Sequence, residues 1–167
     1  MLMTKPSLSR SYNESILFLA FDALTRGRNL PDCIVQFIGS IPQGHPLLAD
    51  AVGTAARCGV KETLPTIERL AADPGMDLTL RLSCLRAIGR LQPDHPLLEN
   101  ALRDQAWEAR AVAATHLRST RAGAMDGLKN ALRDRNFHVR RNAAEALTAL
   151  GEPGKAVLRE ALNSDDR

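Results

Sequence analysis

Aromatic residues are scarce in this sequence: one Trp, one Tyr and four Phe among 167 residues. Rings cannot dominate such a core, so Ala and aliphatic side chains must fill it. Long hydrophobic runs are also missing. The longest, Ile16 to Phe21, is six residues between Glu14 and Asp22, against the roughly 20 that span a bilayer. Its acidic flanks and the lack of an Ala-x-Ala site argue against a signal peptide. Cysteine is sparse and odd in number, with Cys33, Cys58 and Cys84 forming no C-x-x-C pair. Neither a zinc site nor a disulfide framework is expected; each reads as a small buried hydrophobe, and a reducing cytoplasm is the expected location. No charge of one sign prevails: 22 basic and 19 acidic residues leave a formal net charge of +3, too little to mark the whole chain as a polyanion binder.

Signatures of catalysis are missing as well. There is no H-E-x-x-H, no G-x-S-x-G and no Gly-rich phosphate loop. The four His do not cluster, and His45 and His95 precede Pro at helix starts, where capping is their expected role. No catalytic residue, metal or cofactor is therefore expected. No window shows sustained apolar–polar alternation with β-branched enrichment, so no strands are expected either.

What is present is Ala, Leu and a repeat. Ala lets helix axes approach without side-chain entropy loss, so the 44% hydrophobic content points to packed helices. Leu98-Glu99-Asn100-Ala101-Leu102-Arg103-Asp104 returns thirty residues later as Leu128-Lys129-Asn130-Ala131-Leu132-Arg133-Asp134, and again in part at Leu158 to Leu162. After each Asp comes a short turn and a second helical pattern, with Arg110 ahead of Ala113, Ala114 and Leu117, and Arg140 ahead of Ala143, Ala144 and Leu147. Gly59 and Gly151 stand where a C-cap is needed between paired helices. The expected helices pair as 11–26 with 30–39, 46–58 with 61–72, 76–91 with 95–103, 106–119 with 122–133, and 136–150 with 153–163. A pair this small cannot bury its apolar stripe alone, so neighbouring pairs must stack.

The stretch from Ala131 to Gly151, ALRDRNFHVRRNAAEALTALG, resembles HEAT-like repeats of the bacterial, phycobilisome-lyase type. The resemblance is strongest over 128–163 and fades before residue 60. It implies an all-α fold, a right-handed α-solenoid of about five antiparallel helix pairs. The whole of 1–167 is then one repeat domain, with divergent repeats and a cap over 1–60 and recognisable repeats over 61–167. The resemblance also implies a scaffold or adaptor that binds other proteins, because that is the usual work of such solenoids. Some relatives handle bilin chromophores as lyases and some HEAT-like proteins are DNA glycosylases, so these remain rival readings. Asp104 with Arg110, and Asp134 with Arg140, occupy the family's Asp and Arg positions, which pair within or between units. Trp107 and Phe137 stand where the family often has Pro, and His116 where it has Ala.

Charge and aromatic residues then nominate a face. Between Arg110 and Arg141 there are eight basic and two acidic residues, a local +6. Arg103, Lys129 and Arg133, read as lying on second helices, and Arg159, one period from Lys129, form an expected basic row. Trp107 and Phe137 recur thirty residues apart and should meet at one edge beside it. Buried packing over the turn competes with an anchor role for both rings. The partner expected is a protein with an acidic surface; nucleic acid is the second reading, and insertion into a membrane is not expected. Ile16 to Phe21 reads as part of an N-terminal cap. No polar helix follows the last pair, so that open end is expected to dock a partner or a further repeat.

Overall fold

The computed structural model describes residue 27, residues 29–73 and residues 75–165. Among them are nine α-helices, one 3-10 turn at Lys61–Thr63 and no strand. In chain order the helices are α1 (Leu30–Ser40), α2 (Pro46–Arg57), α3 (Leu64–Ala72), α4 (Leu78–Leu91), α5 (Pro96–Ala101), α6 (Trp107–His116), α7 (Ala122–Ala131), α8 (Phe137–Ala149) and α9 (Glu152–Asp165). The helix expected at 11–26, and the cap built on it, lie outside the described residues. So does Pro74 in the turn before α4.

The starts of the helices follow from local chemistry. His45 and His95 each accept the backbone N–H two residues on, from Leu47 and Leu97, through Nδ1, and Pro46 and Pro96 follow where an N–H has no helical partner. Asp77 Oδ1 accepts the N–H groups of Thr79 and Leu80, and Asn136 Oδ1 accepts that of His138. Ends differ from pair to pair. Gly59 and Gly151 turn the chain with φ of +70° and +72°, a conformation open to glycine at little steric cost. No glycine follows α6, and its end differs from the expected 106–119. Leu117 leaves the helix in an extended conformation, and the N–H of Arg118 then reaches the Pro93 carbonyl at 2.8 Å. That bond docks the segment onto the preceding unit.

Two layers result. The first helices, α2, α4, α6 and α8, lie side by side in sequence order, each against the next; α5, α7 and α9 follow one another in the other layer. Hydrophobic contact is continuous from Ile34 to Leu147. Leu48, Ile67, Ile88, Leu98, Leu117, Leu128 and Leu147 are all at most 1% exposed, one or two from each pair from α2–α3 onward. Each contributes about 1.5–3 kcal/mol by leaving water. α6 stacks on α8, and Ala109, Ala113 and Ala114 of α6 and Ala143 of α8 are all inaccessible to solvent. Small residues set the approach: a Cβ at Gly154 would collide with the Leu147 carbonyl, and one at Gly89 with the His116 side chain. The chain is an all-α solenoid, with side chains joining each unit to the next instead of converging on one centre.

Candidate functional site

The repeat Asp shapes the turn that carries each aromatic residue. Asp104 Oδ1 accepts the N–H of Ala106 at 2.9 Å, and Asp134 Oδ1 that of Asn136 at 2.8 Å. Arg110 Nη1 donates to the carbonyls of Asp104 and Gln105, closing the same turn from the helix side. Arg140 repeats this with the carbonyls of Asp134 and Arg135. Held in this way, the turn delivers Trp107 and Phe137 as the first residues of α6 and α8.

The carboxylate pairing runs between units. Arg110 grips Asp134 of the following unit through two bonds, Nε to Oδ2 at 2.6 Å and Nη2 to Oδ1 at 3.0 Å. One unit earlier, Arg81 reaches Asp104 through a single bond at 3.1 Å. Asp104 with Arg110 and Asp134 with Arg140 are therefore not carboxylate–guanidinium pairs; each Arg binds its own unit's Asp only at the backbone carbonyl. The physical reason is reach: the side chains point along the stack, and a planar guanidinium can serve the turn with one nitrogen and the neighbour with the other two. The Arg110 hydrogen bond holds Asp134 below the usual carboxylate range, against the opposing effect of its burial, and Asp134 in turn raises Arg110.

Trp107 is 39% exposed and Phe137 is 59% exposed. Neither is covered as ordinary turn packing. Their rings are joined through His138, whose imidazole stacks on Trp107 at 5.7 Å and 24° and meets the edge of Phe137 at 5.8 Å and 67°. Arg140 places its guanidinium carbon 5.8 Å from the Phe137 centroid, within cation–π range. The result is a strip, Trp107–His138–Phe137–Arg140, that crosses from one unit to the next. The sequence assigns His138 no site role, because it falls at a different repeat position from His116 and the equivalent residue one period earlier is Glu108. The signal available was its place beside Phe137 in the first turn of a helix.

The basic residues separate into two groups. Arg103 and Arg133 are exposed in the turns that follow α5 and α7, on the same connections as Trp107 and Phe137. They are not on the second helices themselves, because α5 and α7 stop at Ala101 and Ala131 and the chain tightens there into Arg103 N–H to Asn100 and Arg133 N–H to Asn130 bonds. Lys129 and Arg159 do lie on second helices, α7 and α9. Their charge is met by neighbours, Lys129 Nζ by Glu160 Oε1 and Arg159 Nη2 by Glu152 Oε2 at 3.3 Å. The expected basic row is thus broken by two ion pairs, and the edge formed by the turns keeps Arg103 and Arg133 next to the aromatic strip.

Cys33 and Cys84 are buried, and burial, with Asp77 nearby, pushes the Cys84 thiol up to about 12. Cys58 is exposed. Among the described residues no three His, Cys, Asp or Glu are grouped to hold a metal, and no helix is long and apolar enough to cross a membrane. Residues 93–167 match the family model for HEAT repeats. That span holds α5 to α9, the Arg110–Asp134 grip and the whole aromatic strip. The C-terminal part of the solenoid is thus similar to HEAT repeats. No curated protein matches the chain.

Proposed function

We propose that the protein is a non-catalytic scaffold or adaptor that binds another protein through the edge carrying Trp107, His138, Phe137, Arg103 and Arg133. HEAT repeats commonly serve as protein-interaction scaffolds. The observation that carries the reading is the exposed aromatic strip across two units, set beside arginines on a rigid stack. Aromatic and Arg side chains are the usual anchors of interfaces, since they present large area with few rotatable bonds. The partner's contacting surface is acidic and includes an apolar group to cover Phe137. We read the whole chain, residues 1–60 included, as one repeat domain acting in the cytoplasm. Lys129 and Arg159, on the second helices and not in the turns, belong to the rim of this surface.

The test is a quantitative interaction measurement. The partner is isolated by co-purification, and its affinity for the wild-type protein is measured by calorimetry. Trp107→Ala with Phe137→Ala is expected to weaken the complex at least about tenfold, the loss of one strong anchor. Unchanged affinity would place the interface elsewhere. No observation favours nucleic acid over protein at this edge.

A further inference from the structure

The layer of first helices carries a basic cleft on a different part of the molecule from the turn edge. The cleft lies between α2 and α4 and holds about 250 Å³. Its floor is made by short side chains, among them Gly53 and Ala87, and its rim by Arg57, Arg86, Arg90 and Asp50. Arg86 and Arg90 are spaced by four on α4, so both project from one helix surface. Both are exposed, and neither makes a hydrogen bond or ion pair among the described residues. Arg57 ends α2 and is held in place by a 2.6 Å bond from Nη2 to Thr54 Oγ1. One unit further along, Arg118 stands exposed just beyond α6.

His116 sits within this field. Its ring is half-buried against Gly89 of α4, and its protonated form is disfavoured first by burial and then by Arg118, Arg86 and Arg90. Three arginines from two units therefore act on one imidazole. Cations at helix C-termini gain from the helix dipole, which accounts for Arg57 at the end of α2 and Arg90 near the end of α4. It does not account for Arg86, a full turn earlier, facing the same cleft. Asp50 is the single carboxylate of the lining. Arg86 and Arg90 place like charge side by side beside His116 with no ion pair of their own among the described residues, at a cost in free energy that an anionic ligand would recover.

We propose that the cleft edged by Arg57, Arg86 and Arg90 docks an acidic peptide segment of a partner protein, on a surface separate from the Trp107–Phe137 edge. A carboxylate on a flexible side chain fits the volume and meets guanidinium groups in bidentate geometry. A nucleic-acid backbone needs a track of several cations spaced along it. Here the charge is concentrated at one cleft, with Asp50 on its rim.

The experiment uses a fluorescein-labelled peptide of alternating Glu and Gly and the full chain, read by fluorescence anisotropy at low and moderate salt. Saturable binding that weakens as salt rises is expected. Arg86→Glu with Arg90→Glu should lower affinity at least about tenfold; these exposed side chains have no partners, and circular dichroism checks that the helices persist. Lys129→Glu with Arg133→Glu, and separately Trp107→Ala with Phe137→Ala, should leave peptide affinity within about twofold. Three results overturn the proposal: no binding by the wild-type protein at low salt, equal binding by the double-Glu variant, or tighter binding of a single-stranded oligonucleotide than of the peptide. Because the probe is a defined peptide, these outcomes are read independently of the aromatic edge and its partner.

Discussion

Replacing Arg110 by Ala is the most informative perturbation of this fold. The side chain makes two charged bonds to Asp134, at 2.6 and 3.0 Å, and two more to the carbonyls of Asp104 and Gln105 at 2.8 and 3.0 Å. Arg110 and Asp134 are only 19% and 11% exposed at their side chains, so water replaces the lost bonds incompletely. Hydrogen bonds to charged groups contribute about 1.5–3 kcal/mol where desolvated. The two carbonyls can rehydrate in part, and Asp134 keeps the N–H of Asn136. A loss of about 3 kcal/mol is the resulting expectation, or about 6–12 °C in Tm for a chain of this size. Arg81→Ala, which gives up a single 3.1 Å bond to Asp104, should cost about 1 kcal/mol. Urea denaturation followed by circular dichroism compares the two. Because Arg110 joins successive units, its removal should also broaden the transition, as neighbour coupling weakens. An Arg110→Ala variant no less stable than Arg81→Ala would refute the view that these side chains hold the units together.

Two further outcomes concern the contact between Gly89 and His116. Gly89→Ala is expected to destabilise the protein by about 1–3 kcal/mol through overpacking, because the added methyl meets the His116 side chain. Adding His116→Ala should restore most of that loss in the same denaturation assay, and an additive double variant would show that the clash lies elsewhere. The pH dependence follows from the sign of the His116 shift. Its folded value lies below the ordinary 6.5, so the unfolded chain takes up the proton first. Stability should be flat above that value and should fall as pH drops below it, ceasing to fall once the folded form protonates too. His116→Gln should reduce the slope just below pH 6.5; an unchanged slope would assign it to other groups.

Much of this architecture was legible because it repeats. Leu98, Leu128, Ala101 and Ala131 recur at fixed spacing, and their burial in equivalent places is what a stack of like units requires. The direction of the Arg–Asp pairing was not legible. Arg110 lies six residues after Asp104 and 24 before Asp134, and a side chain this long can reach either turn, so only the stacking vector decides. Lys129 and Arg133, spaced by four, gave the appearance of a common basic surface. The neighbouring helix brings Glu160 onto Lys129, a contact set by helix register that local spacing does not encode. His116 looked like a departure from the repeat when taken alone. It becomes intelligible as half of a pair, since Gly89 on the preceding first helix gives it room. The end of α6 was misplaced for a similar reason: Arg118 leaves the helix to bond a residue of the previous unit.

The stacking of His138 on Trp107 has an optical consequence. Trp107 is the sole tryptophan, and it stands partly exposed with an imidazole against its face. All indole emission from this protein therefore originates at the turn edge. Its wavelength responds to water there, and its yield to the neighbouring ring. Anything that settles on that strip, or turns His138 away from it, changes the emission without a dye or a tag, and the distant cleft can be occupied in silence.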